Sequence, residues 1–110
     1  SDVAGGTTEN LFAAMRHAIQ ASKLRWHLSD QGLKALTVEE VFYLASKGGG
    51  AFFGKVGSFE PGYEFDAVIL DDTRLEHPQS LEVKQRLERV IYLGDEREVA
   101  GKYVAGRKIL

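Results

Sequence analysis

Phe12, Met15, Ile19, Ser22 and Trp26 recur at 3-4-3-4 spacing, which places them on one face of a long helix. Arg16, Gln20, Lys23 and His27 follow the same spacing on the opposite, polar face. Thr7 and Thr8 stand ahead of this run as capping hydroxyls, and Glu9 suits the positive end of the helix dipole. The turn-forming stretch SDQG at 29–32 ends the pattern. TVEE at 37–40 has the form of a capping box, in which Thr37 and Glu40 satisfy each other's backbone N–H groups. Val38, Val41, Phe42 and Ala45 then mark the buried face of a second helix, which the three glycines at 48–50 should end. A short helical turn through AFFG follows.

The pattern changes after the Pro61-Gly62 turn signal. Residues 65–70 are nearly continuous and apolar, with Val and Ile prominent, which predicts a strand buried on both faces. Asp71 and Asp72 end it. Ser80 is placed to cap a third helix whose apolar face is Val83, Leu87, Val90 and Ile91. Residues 98–104 alternate weakly and predict a second strand. Ala105-Gly106 predicts a tight hairpin turn into RKIL. The order helix, helix, strand, helix, strand, strand is that of an α+β fold. A lone strand between helices needs sheet neighbours to satisfy its backbone, and this pattern supplies few.

Composition narrows the class. With 44% hydrophobic residues in 110, the chain can build one core. A formal net charge of −2 gives no basic footprint for nucleic acid. There is no cysteine, which excludes disulfides and thiolate metal sites. The longest apolar run, Ala67–Leu70, is far short of a membrane span. The reading is a cytoplasmic protein with no nucleic-acid or membrane partner.

Four candidate sites follow from motif spacing, and three fail on it. GGAFFGKV at 49–56 comes within one residue of a phosphate loop, but Val56 replaces the hydroxyl that would hold magnesium. Phe52 and Phe53 occupy positions where small residues should let the backbone approach phosphate. The expected role is a glycine-loosened helix end that packs the two rings. His17, His27 and His77 match no metal-binding spacing. The pairs Asp71-Asp72 and Asp95-Glu96 are adjacent carboxylates of the kind found at solvated termini, not separated acid and base groups in a cleft. The fourth is Asp2, a lone carboxylate that acquires meaning only from its neighbourhood.

SDVAGG at 1–6, followed by AMRHAI, resembles the guanine deaminases of the amidohydrolase superfamily. The resemblance continues through LTVEEVFYLASKGGGAFFG, VGSFEPGYEFDAVILDD and RLERVIYLGDEREVAGKYVAGRKI, and so spans essentially the whole chain. It implies the fold: the C-terminal helices of a (β/α)8 barrel over residues 1–55, then strands and one helix of the small β-sandwich domain over residues 56–110. It implies that Asp2 is the aspartate at the end of the last barrel strand, a ligand of catalytic Zn²⁺ and also a base. Such a metal lowers the pKa of its bound water, and a nearby carboxylate takes the proton. The family's other ligands, its proton-shuttle glutamate and its purine-recognition residues have no counterpart in this sequence. The expectation is therefore a C-terminal segment of a zinc-dependent guanine deaminase, inactive and without zinc when alone. Its partners would be the remainder of the barrel and guanine as the parent's substrate, and the lone chain should be a homo-oligomer. The alternative is a free-standing, non-catalytic interaction or assembly module.

Overall fold

The computed structural model describes residues 5–110, and these fold as a mixed helix-and-strand chain in the predicted order. Helix α1 spans Leu11–Leu28, α2 Val38–Tyr43 and α3 Val83–Leu93. Strands β1 (Ala67–Leu70), β2 (Val99–Val104) and β3 (Arg107–Lys108) form one antiparallel sheet in the order β1-β2-β3.

Helix α1 is capped by Asn10, not by the threonines. The Asn10 carboxamide oxygen accepts the N–H groups of Phe12 (2.8 Å) and Ala13 (3.3 Å). Thr8 Oγ1 accepts the N–H of Asn10 and so fixes the cap from one step back. The predicted inner face is right through its first three turns. Met15, Ile19 and Ser22 are buried, but Trp26 is exposed because α1 outruns the elements that cover it. Buried Ser22 is satisfied on both sides: it donates to Ile19 O and accepts the N–H of Leu36. That second bond ties the loop before α2 to α1.

The Thr37–Glu40 capping box forms as predicted, with Thr37 N donating to Glu40 Oε2 at 2.7 Å. Val41 is buried and Val38 and Ala45 pack on the core, but Phe42 is exposed. The glycines do not end the helix. It widens into a π-turn over Leu44–Gly48, then tightens into a 3₁₀ turn at Ala51–Phe53. Gly57 explains the detour. Its φ is +77°, and a Cβ there would lie 2.5 Å from Ser46 O, so the returning chain touches the π-turn backbone to backbone. Lys47 closes the same contact by pairing with Glu60 at 2.7 Å and lying over the Tyr63 ring. The expected packing of Phe52 and Phe53 into a helix end is not found. The rings stack edge-on to each other at 5.1 Å, and they are 88% and 78% exposed.

Helix α3 is capped at Glu82, whose N–H donates to Gln85 Oε1, and not at Ser80. Val90 and Ile91 are buried and Leu87 is partly so, while Val83 is exposed. The core is thus Met15, Ile19, Val41 and Ile91, joined at its rim by Phe12, Leu36, Val38, Leu87 and Tyr92. Arg16 braces it by donating to Ile91 O at 2.6 Å. Every one of these residues belongs to the helices or their flanks, and no strand residue is among them.

The sheet therefore stands apart from the core. Strand β1 is an edge strand with Val68 56% and Ile69 50% exposed, which corrects the reading of a strand buried on both faces. A continuous apolar run is equally compatible with an edge whose covering layers are absent. Ala105-Gly106 makes the predicted hairpin turn, with φ of +48° and +76°. Asp66 supports this turn by accepting the N–H of Ala105 at 2.8 Å. The chain exposes 8130 Å², against about 6,100 Å² for a self-contained monomer of its mass.

Gly57→Ala is expected to destabilise the fold by about 2–4 kcal/mol, from left-handed strain plus the collision with Ser46. Urea unfolding measures it, and a variant of unchanged stability would contradict the close approach.

Candidate functional site

The one residue assigned a chemical role, Asp2, lies outside the described residues. The remaining candidates can be placed. His17, on the polar side of α1, contacts Thr7 Oγ1 at 3.3 Å, and His27 is exposed near the end of the same helix. His77 folds back on its own loop, its Nδ1 near Gln79 N and O at 3.2 Å. Among the described residues no group of three or more His, Cys, Asp or Glu side chains is placed to hold a metal ion. The described residues thus offer zinc no ligand set of their own. The near-phosphate-loop at 49–56 is a π-turn and a 3₁₀ turn following a helix, which is not the strand-to-helix cradle that binds phosphate.

The carboxylate pairs organise structure. Asp71 accepts the N–H of Thr73 at 3.0 Å, which holds its carboxyl below the usual range. Asp72 is gripped by both arms of Arg86 at 2.7 Å each, and that guanidinium depresses its pKa. Asp72 is therefore no bare strand terminus: it joins the end of β1 to α3. Asp95 is held well below the carboxylate range by Arg97, at 2.5–3.1 Å, and by the Arg97 N–H.

Sequence reasoning missed the most buried charge. Glu98 is 2% exposed. Its Oε2 accepts Asp95 N at 2.7 Å and its Oε1 pairs with Arg74 at 3.2 Å, while its backbone oxygen accepts Asp71 N at 2.8 Å. Arg89 extends this polar joint, donating to the carbonyls of Leu75 and Glu76. The D-x-x-E spacing was the available signal: Glu98 stands three residues after Asp95 as the return partner of a capping box, a position that its exposed neighbour Glu96 does not hold. The open cavity beside the joint, about 740 Å³, is lined by Asp72, His77, Leu81 and Arg86 among others. Asp72 and Arg86 in its lining are already paired with each other, which makes it a surface recess around a structural joint.

The geometry of the described residues is thus that of a scaffold held by polar joints. A model of the amidohydrolase family matches residues 1–109. The chain belongs to the amidohydrolase family. Its relatives narrow the match within that family. It is 31% identical to guanine deaminase of Homo sapiens over its full length and 32% identical to that of Escherichia coli over 99% of it. It spans about a quarter of these curated relatives, 26% and 25% of their lengths. Among solved structures, guanine deaminase from C. acetobutylicum, with guanine bound in its active site, superposes on 91% of the chain with a TM-score of 0.85 and 48% identity. The E. coli enzyme superposes on all of it at 0.81 and 31%. The chain covers 24% and 26% of those two structures. The resemblance read from SDVAGG and IYLGDER is the one these comparisons return.

Asp71, Asp72 and Asp95 are all depressed when folded, so their contribution to stability is fully present above about pH 4, the unfolded value. It is lost as pH falls from there through the folded values. Urea midpoints should be level from pH 7 to 5 and fall below 4, and Asp72→Asn should flatten part of that fall. A fall already complete by pH 5 would contradict the assignment.

Proposed function

We propose that this chain is the C-terminal quarter of a zinc-dependent guanine deaminase. The observation that carries the reading is the 48% identity, at a TM-score of 0.85, to an enzyme holding guanine. On this reading residues 1–55 carry the end of the last barrel strand and the final barrel helices, and residues 56–110 form part of the small β-sandwich. The two parts meet in one cluster, where Ile91, Leu87 and Tyr92 of the second pack with Met15, Ile19 and Val41 of the first, while the strands of the second part add no residue to it. The whole enzyme would hydrolyse guanine, with water replacing the 2-amino group, to give xanthine and ammonia.

Asp2 would be the metal-ligating aspartate at the barrel rim, where (β/α)8 enzymes gather their chemistry. Bound zinc would supply an activated water, and Asp2 would hold and pass on its proton. The rest of this chain contributes position. Asn10 caps α1, and the packing of Met15 and Ile19 anchors that helix. The other metal ligands and the guanine pocket belong to the remainder of the barrel, and the chain alone would be inactive in the cytoplasm or in vitro.

In the intact enzyme Asp2→Ala should lower turnover by at least the roughly 10²–10⁴-fold typical of general-base loss, with helical content unchanged. Guanine consumption and ammonia release measure it. Turnover within about tenfold of the parent's would remove Asp2 from the mechanism, and an intact enzyme without action on guanine would remove the reading itself.

A further inference from the structure

Strands β1 and β2 do not run in step. Ala67, Val68 and Ile69 face Tyr103, Lys102 and Gly101, but Leu70 faces Val99. Strand β1 therefore advances three residues where β2 covers four, and Ala100 is the extra one. Such a β-bulge interrupts the ladder, bends its strand and turns the side chains beyond it to the other face. Ala100 gives no reason of its own for the bulge, since it is exposed and its methyl group bonds to nothing.

The cause lies at the two ends of the pairing. At the hairpin end Asp66 accepts the N–H of Ala105 at 2.8 Å, and Phe65 O accepts that of Gly106 at 2.9 Å. Gly101 fixes the middle, because a Cβ there would crowd Ile69 Cδ1 at 3.3 Å. At the other end stands Glu98, 2% exposed. Its backbone oxygen accepts Asp71 N at 2.8 Å, its Oε2 accepts Asp95 N at 2.7 Å, and its Oε1 pairs with Arg74 at 3.2 Å. Asp95 lies in the turn that leads into β2, and Arg74 in the loop that leaves β1. One carboxylate thus ties the exit of the first strand to the entry of the second. A regular ladder continued from Ile69 and Gly101 would set Val99 opposite Asp71. It would also turn the Glu98 carboxylate to the other face, away from Arg74. A buried carboxylate stripped of its partners is costly, so the bulged register wins.

We infer that Glu98 is a register lock: its buried carboxylate forces the extra residue into β2, with Asp66 as the opposing pin at the hairpin end. This role is independent of the catalytic reading above, since Glu98 acts through the ladder and not on a substrate. Its contacts are made wholly within the segments that carry the two strands.

Crystal structures of variants of the intact protein test the lock. In Glu98→Ala the register should shift by one residue at this end, with Asp71 N bonded to Val99 O and Leu70 opposite Ala100. Glu98→Gln, whose amide oxygen still accepts Asp95 N, should keep the bulge. Deletion of Ala100 leaves equal lengths of strand between the two pins. That variant should fold with a regular ladder and retain the bonds of Glu98 to Asp95 N and Arg74. An unchanged bulge in Glu98→Ala overturns the lock. So does an Ala100 deletion in which Glu98 leaves Arg74 and a bulge forms elsewhere in β2. The deletion decides the matter if Glu98→Ala does not fold.

Discussion

Burial of the α1 stripe is the interaction on which the rest depends. Met15 and Ile19 meet Val41 from α2 and Ile91 from α3, and Arg16 closes the assembly on the Ile91 carbonyl. Among the described residues, Val90 is the one buried apolar side chain outside this cluster. A 110-residue domain ordinarily spreads its core over both of its layers. Here the sheet and its loops are tied to the helical part by polar contacts instead, Asp72 with Arg86 and Lys47 with Glu60, while Glu98 with Arg74 joins the two loops beside the sheet. Such partly exposed pairs contribute little stability each but fix direction well. The sheet is aimed by these contacts, and its apolar face is left for another layer to cover.

This division accounts for what the sequence disclosed. Elements set by local chemistry were legible: the Thr37–Glu40 box, the Ala105-Gly106 turn and the three helices and three strands in order. Caps were misread where two candidates lay close together. Asn10 outcompetes Thr7 and Thr8 because its oxygen reaches two N–H groups at once. The π-turn was invisible because its cause lies downstream of it, in the approach of Gly57 to Ser46. Phe42, Trp26 and β1 were predicted buried, since periodicity reports which face is apolar and not whether anything in the chain covers it.

The site was legible in the opposite sense. Spacing gave His17, His27, His77 and the near-phosphate-loop no role; the structure sets His17 against Thr7, His77 against Gln79 and the loop as turns that follow a helix. Asp2 came from the resemblance of a short motif, because a lone carboxylate has no spacing signature of its own. The buried Glu98 left one sign, its capping-box spacing from Asp95, which marks its local bond and not its burial. Its role is defined by Arg74 and the Asp95 N–H, two groups from different segments.

The central claim is that the helical cluster is self-sufficient and the sheet is not. Amide hydrogen exchange on the isolated chain, residue by residue, tests it directly. The account predicts slow exchange in α1 around Met15 to Ser22 and in α3 at Val90 and Ile91, with fast exchange in β1. Protection of β1 equal to that of α1 in the dilute chain would contradict the account, because the sheet would then need no covering layer.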